Sequence, residues 1–188
     1  MVTAAQLTPA WLSEALGVHV VAVDQRAVGT GQVAESIRLS LTYAPGASGP
    51  ATVVAKLPSE DPTSRATSQA MQSYRIETSF YRDLAPTLEV RAPGCHHVSY
   101  DPDTDDFTLL LEDLAPAEQG DQITGCTPDA AALAVEHLPG LHAPRWGDRA
   151  LGDLEWLARL TPDRVAMAGP MYQMLIEAFA ARYEGRIA

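Results

Sequence analysis

A strict alternation of apolar and polar side chains runs through SIRLSLTY, residues 36–43, and this two-residue period predicts a half-buried β-strand. The turn-forming segment APGASGP follows it, and the apolar run ATVVAKLP comes next. The segment VHVVAVDQRAV, which precedes the alternation, favours another strand. Three consecutive strands joined by short connections predict an antiparallel meander.

Helix starts are marked by a repeated Thr-Pro pair, because threonine caps a helix and proline fits its first turn. The three pairs predict a short helix in residues 7–17, capped by Thr8 and ended by Gly17, and longer helices at 128–142 and 162–183. A further helix is predicted in AMQSYRIETSFYRDLAP, whose apolar stripe is Met71, Tyr74, Tyr81 and Leu84. The polar segment SEDPTSRATS before it is interpreted as a loop.

A second group of strands is predicted by CHHVSY and FTLLLEDL, which flank the turn DPDTDD. After Leu114 the strand pattern stops and the helical pattern takes over. The predicted fold class is therefore α+β, with an antiparallel sheet of about five strands plus a helix before residue 115 and helices after it. Trp146 and Trp156 are expected in the core.

The charge balance argues against two classes of partner. The chain carries 24 acids against 13 bases, a net charge of −11, whereas nucleic-acid backbones and anionic membranes both require basic surfaces. No apolar run is long enough to span a bilayer, and the N-terminus lacks a signal-peptide pattern. With two cysteines only, we expect a cytoplasmic protein with reduced thiols.

Two charged residues lie where the pattern predicts apolar surroundings. Lys56 ends an apolar strand, and Glu77 shares the stripe of Tyr74 and Tyr81. The default interpretations are a lysine that reaches solvent and a solvated helix position, but a buried charge needs a partner. We therefore expect Lys56 and Glu77 to pair. No metal site is predicted, because the adjacent histidines at 96–97 point to opposite faces of a strand.

A glycine-rich segment, VGTGQVAES, connects the first two strands. Gly29 and Gly31 would let backbone N–H groups approach a phosphate, although many hairpin turns also carry glycines. The order of a glycine-rich hairpin, a strand lysine, a helix glutamate and an apolar strand leading into a linker is more specific. It is the order of parts in the small lobe of a kinase.

These segments carry a family resemblance. The chain resembles the aminoglycoside phosphotransferase and choline-kinase-like superfamily, most closely its ecdysteroid-kinase-like branch, over about residues 28–146. The matching segments are GTGQVAESIRLSLTY, VVAKLP, YRIETSFYRDLAP, FTLLLEDLAPAEQGDQITG and LPGLHAPRW. The resemblance implies a kinase-like small lobe with a hinge over 1–114, followed by the first helices of a helical large lobe over 115–188.

The resemblance also implies roles for the phosphate side of a nucleotide site. Gly29 and Gly31 would belong to the loop over the phosphates of ATP. Lys56 would contact the α- and β-phosphates, and Glu77 would orient Lys56.

On the adenine side, the resemblance implies an adenine pocket. Val54 would line it and Leu111 would guard its back. The Glu112 carbonyl and the Leu114 N–H would be the hinge groups that read adenine.

The catalytic loop of the family does not occur in these 188 residues. That loop contains His-Gly-Asp and a metal-binding Asn, and a second Asp that holds magnesium follows it. The segment QGDQ at 119–122 has Gly-Asp without His and comes directly after the hinge. The expected function is thus the N-terminal portion of an ATP- and Mg²⁺-dependent phosphotransferase, which transfers the γ-phosphate to a hydroxyl of a small molecule. The portion alone is expected to be inactive.

Two other functions stay open at this point. The chain could be a catalytically inactive, truncated kinase-like module that binds nucleotide or a protein partner. It could also be an unrelated α+β binding domain whose glycines and lysine are coincidental. The sequence does not name the acceptor substrate.

Overall fold

The computed structural model describes residues 2–29, 33–118, 120, 123–157 and 162–184. Its centre is a five-stranded antiparallel sheet in the order β1-β2-β3-β5-β4. The strands are β1 Val20–Ala27, β2 Ala34–Tyr43, β3 Thr52–Pro58, β4 Cys95–Asp101 and β5 Asp106–Glu112. The predicted α+β class, the meander of three strands and the later hairpin are confirmed.

Five α-helices accompany the sheet in the described part of the chain. They are α1 Pro9–Leu16, α2 Pro62–Met71, α3 Ser73–Ser79, α4 Pro128–His142 and α5 Pro162–Tyr183. A turn of π-helix, Phe80–Leu84, and a 3₁₀ turn, Ala85–Thr87, extend α3. Further 3₁₀ turns lie at Ala4–Gln6, Ala143–Arg145 and Arg149–Asp153. The helices predicted at 128–142 and 162–183 are confirmed at both ends.

Local capping explains why the helix starts were predictable. The Thr8 hydroxyl accepts from the Trp11 N–H at 3.3 Å, and Gly17 ends α1 in the left-handed conformation with φ 66°. The Thr127 hydroxyl accepts from the Ala130 N–H at 3.2 Å at the start of α4. Each cap satisfies an N–H that has no partner within the helix.

The loop predicted at 59–68 is wrong, because α2 occupies most of it. Asp61 caps this helix by accepting from the Ser64 N–H at 2.7 Å, and Pro62 takes its first position. These two short-range signals outweigh the polar composition of the segment.

The apolar stripe predicted from Met71 to Leu84 is wrong in one member. Gln72, with φ 54°, separates α2 from α3, so Met71 belongs to the other helix and is 67% exposed. Tyr74 and Leu84 are buried, and Tyr81 packs against the buried cluster that contains Tyr74.

The sheet buries apolar residues on both faces. On one face, Val53, Ala55 and Leu57 of β3 pack in a cluster with α1. On the other, residues of β2, α3 and β5 form a second cluster of Ala34, Tyr74, Phe107, Leu109 and Leu111. Because strand side chains alternate, Val54 and Lys56 lie on the α3 face.

The chain divides into two compact units, Met1–Asp148 and Arg149–Ala188. The lobe boundary predicted at 115 falls within the first unit, between the end of β5 and the start of α4, and it stays a prediction. Trp156 is buried at 6% exposure, as expected, whereas the core position predicted for Trp146 is wrong because Trp146 is 81% exposed. Within the described ranges, no helix combines the length and apolar character needed to cross a bilayer.

Candidate functional site

Lys56 on β3 and Glu77 on α3 form an ion pair, in which the Lys56 Nζ donates to the Glu77 Oε1. Their side chains are 25% and 30% exposed, so the pair lies at the edge of the buried region. The predicted pairing is therefore present. Because the pair is neither fully buried nor free in solvent, a ligand from solution can reach it.

The position of Glu77 follows from the anchoring of α3 by Tyr74. The Tyr74 hydroxyl donates to the Val33 carbonyl, at the start of β2, and accepts from the Ser59 N–H at 3.2 Å, just beyond β3. Its ring packs against Phe107 of β5 with ring centroids 4.5 Å apart. These contacts hold α3 across three strands and bring Glu77 to Lys56.

Lys56 is the one lysine in the chain, and the other twelve of the 13 basic side chains are arginines. An ammonium is a compact charge with three donors, whereas guanidinium is a planar fork. Within the described part of the chain, Glu77 is the one hydrogen-bond partner of the Lys56 ammonium. Two of its donors are therefore available to another acceptor.

Val54 and Leu111 lie on the same face of the sheet as Lys56. They are register partners across β3 and β5, and Lys56 is paired in the same way with Leu109. Leu111 is 6% exposed and belongs to the second core cluster, while Val54 is partly exposed. An apolar surface therefore continues from the ion pair toward the end of β5.

Glu112 at the end of β5 is held by its backbone and its side chain. Its N–H donates to the Gly94 carbonyl at 2.7 Å, and Arg91 donates two hydrogen bonds to the carboxylate, at 2.6 and 2.9 Å. The Gly94 N–H adds a third at 3.0 Å. The bonds from Arg91, and next that from Gly94, lower the pKa of Glu112 to about 2.

Asp113, the next residue, is held by a second arginine. Arg38 of β2 donates to both carboxylate oxygens, at 2.6 and 2.8 Å, and the Asp113 side chain is only 3% exposed. The hydrogen bond from Arg38 is the main cause of a lowered Asp113 pKa. Sequence reasoning missed the role of both arginines, because Arg38 and Asp113 are 75 residues apart and nothing local marks the pair.

Leu114 follows Asp113 in the segment that leaves the sheet. The neighbouring Ala115 N–H donates to the Asp113 Oδ1 at 3.1 Å, and the Ala117 N–H donates to the Leu114 carbonyl at 2.9 Å. Among the described residues, no acceptor is found for the Leu114 N–H. The chain leaving the sheet thus presents one free donor next to the Val54–Leu111 surface.

The glycine-rich segment is described only in part. Gly29 has φ 76°, which favours glycine, and the Val28 N–H donates to the Ser36 carbonyl at 2.9 Å at the base of the hairpin. Gly31 lies outside the described residues, as does most of the segment 119–122. The expected role of Gly31 over phosphates therefore has no structural counterpart here.

Two cavities of the described residues have linings that do not include Lys56 or Glu77. One of about 470 Å³ is lined by Val28, Gly29 and Ser36, and another of about 680 Å³ lies between Tyr81 and the start of β4. Across the described ranges, no three His, Cys, Asp or Glu side chains converge as a metal site.

No protein-family model and no curated protein matches the chain. The kinase-like assignment therefore stays a prediction that depends on the motifs and on the site geometry.

Proposed function

We propose that this chain is the nucleotide-binding portion of an ATP-dependent phosphotransferase of the kinase-like superfamily, acting on a hydroxyl of a small molecule. The observation that carries the proposal is the Lys56–Glu77 ion pair between β3 and α3. Lys56 lies on the same sheet face as Val54 and Leu111, which continue this face toward the strand end that leads to Leu114.

The chemistry of the pair suits a triphosphate. The free donors of the Lys56 ammonium can bind α- and β-phosphate oxygens, and Glu77 limits the rotamers that the lysine adopts before the nucleotide arrives. The carboxylate also compensates the lysine charge while the site is empty of phosphate. A lysine serves here as a point charge that fits between several oxygens.

The adenine side offers an apolar wall and two backbone groups. Val54 and Leu111 supply the wall, the Leu114 N–H is an open donor, and the Glu112 carbonyl is the acceptor that the resemblance assigns. A purine edge with one acceptor and one donor matches this pair of groups. In this proposal, the sheet and α3 form the small lobe over 1–114, and α4 and α5 are the first helices of a large lobe in a cytoplasmic enzyme.

The described residues do not form a binding site for magnesium. They provide no converging set of carboxylates for a divalent cation. No step through Mg²⁺ is therefore assigned to this chain. Its own residues would bind and orient the nucleotide, and the base and metal ligands of the phosphoryl transfer would lie elsewhere.

A second candidate is a nucleotide-binding module without catalysis, whose binding residues would be the same Lys56–Glu77 pair. It shares the ATP site, so ATP binding supports both candidates. Phosphate transfer from ATP to a small-molecule hydroxyl separates them.

The test is calorimetric titration of ATP into the wild type, Lys56→Ala and Arg82→Ala. Arg82 donates its hydrogen bonds to Asp83 and Ser79 rather than to the ion pair, and its replacement is the matched loss of one positive charge. We expect ATP affinity to fall about 10- to 150-fold in Lys56→Ala, the range for hydrogen bonds to charged groups, and to stay unchanged in Arg82→Ala. A folded wild type that binds no ATP, or equal affinities in all three proteins, contradicts the proposal.

A further inference from the structure

Glu112, the last residue of β5, and Asp113, which follows it, are each held by a separate arginine. Arg91, from the segment before β4, donates two hydrogen bonds to Glu112, and Arg38 of β2 donates two to Asp113. Adjacent strand residues direct their side chains to opposite faces. The strand end is therefore fixed from two sides, which restricts rotation of the backbone between the two carboxylates.

The segment that carries Arg91 is itself attached to α4. The N–H groups of Glu89 and Val90 both donate to the Gly140 carbonyl, at 2.9 and 3.0 Å. A Cβ on Gly140 would lie 2.8 Å from the Val90 nitrogen, so the two backbones meet at a distance that only glycine allows. A continuous set of contacts thus runs from α4 through Arg91 to Glu112.

We call the Arg91–Glu112 and Arg38–Asp113 pairs the two clamps, and neither of them touches the ion pair. The hydrogen bonds of Arg91 go to Glu112 and the Ala92 carbonyl, and those of Arg38 go to Asp113. Lys56 bonds to Glu77 alone among the described residues. The clamps therefore contact the base side of the proposed site and make no hydrogen bond to its phosphate side.

We infer that Arg91 and Arg38 are positioning residues for base recognition. They hold Glu112 and Asp113 so that the Glu112 carbonyl and the Leu114 N–H face a purine base together, and Arg91 links that alignment to the position of α4. This inference rests on the proposed function. It adds that nucleotide affinity depends on Arg91, whose partner Glu112 directs its side chain to the sheet face opposite Val54 and Leu111.

The test compares a ligand with a base and a ligand without one. ATP and inorganic tripolyphosphate are titrated into the wild type, Arg91→Ala, Arg91→Lys and the control Arg82→Ala. Arg82 is a matched control because it too donates two hydrogen bonds to one carboxylate, that of Asp83, and is similarly exposed. Arg91 is 61% exposed, so its removal leaves no buried cavity.

We expect Arg91→Ala to weaken ATP binding about three- to tenfold and to change tripolyphosphate binding less than about twofold. Arg91→Lys should lie between the wild type and Arg91→Ala, because an ammonium cannot reproduce the two-point contact. Arg82→Ala should match the wild type for both ligands.

Three results would overturn the inference. If Arg91→Ala binds ATP like the wild type, the clamp has no positioning role and the proposed function stands. If both ligands weaken equally, Arg91 acts on the fold as a whole. If the folded wild type binds neither ligand, the proposed function fails as well. Arg38→Ala, measured in the same way, provides a second variant on the other side of the strand end.

Discussion

The Lys56 ammonium on β3 binds the Glu77 carboxylate on α3, which lies 21 residues later in the chain. Both side chains are about a quarter exposed or more, and ion pairs of this kind stabilise a fold by about 1 kcal/mol or less. Stability alone is thus a weak reason for the pair. A lysine held in one orientation at a reachable position has a stronger use in binding an anion.

Replacing Glu77 with glutamine should separate stability from binding. We expect Glu77→Gln to change the free energy of unfolding by about 1 kcal/mol or less and to weaken ATP binding, because Lys56 loses the charge that orients it. Urea unfolding and ATP titration measure the two effects, with Glu136→Gln on the exposed surface of α4 as the control. If Glu77→Gln lowers the free energy of unfolding by several kcal/mol and leaves ATP affinity unchanged, the pair has a purely structural role.

Gly140 is predicted to be intolerant of a side chain. In Gly140→Ala the new Cβ would overlap the backbone of Glu89 and Val90. We therefore expect the free energy of unfolding to fall by about 1–3 kcal/mol, although alanine favours helices. The control is Gly169→Ala in α5, where open space surrounds the site. We expect it to change stability by about 1 kcal/mol or less, since Pro170 offsets the helix preference of alanine. Equal effects in thermal unfolding would refute the close contact.

Leu109 tests the second core cluster. It is fully buried on the α3 face of β5, and we expect Leu109→Ala to cost about 2–5 kcal/mol of unfolding free energy through lost burial and the cavity left behind. Leu133→Ala, at a site 56% exposed on α4, should change it by about 0.5 kcal/mol or less. Chemical denaturation of both variants measures the contrast, and a small effect at Leu109 would argue against the packing of α3 on this face.

The Glu112 clamp predicts a defined pH dependence. Because Arg91 and Gly94 lower the Glu112 pKa from 4.5 to about 2, the stabilisation is fully present above the ordinary value and is lost as the pH falls toward the lowered one. The difference in unfolding free energy between the wild type and Glu112→Gln should thus be largest near neutral pH and shrink between about pH 4.5 and 2. Urea titrations across this range measure it. A difference that does not vary with pH means that the carboxylate charge does not contribute.

Local signals made much of the fold predictable. Thr8 and Thr127 cap their helices through contacts within three residues, and the alternation in 36–43 depends on nothing outside the strand. The helix α2 was missed although Asp61 and Pro62 start it, because its polar composition is typical of a loop. Short-range signals therefore predict the helices correctly when capping residues are given more weight than the polar composition of a segment.

The contacts around the site depend on register, which the sequence does not reveal. The Lys56–Glu77 pairing could be predicted because both charges interrupt apolar patterns. Arg38 and Arg91 do not interrupt an apolar pattern, and their partners are 75 and 21 residues away. Only the pairing of β2, β3 and β5 and the path of the segment before β4 bring these arginines to the strand end.

The uniqueness of Lys56 permits one decisive measurement. An acyl phosphate of ATP, if bound at the proposed site, places its acyl carbon near the lysine; the amine attacks that carbon, an amide forms and ATP leaves. With a single lysine in the chain, mass spectrometry of the peptide containing residues 52–58 reports the reaction, and the N-terminal amine serves as the internal reference. We predict an adduct on Lys56 that excess ATP suppresses and that is absent in Lys56→Arg. No adduct on Lys56, or labelling that excess ATP leaves unchanged, would contradict a nucleotide site at the Lys56–Glu77 pair.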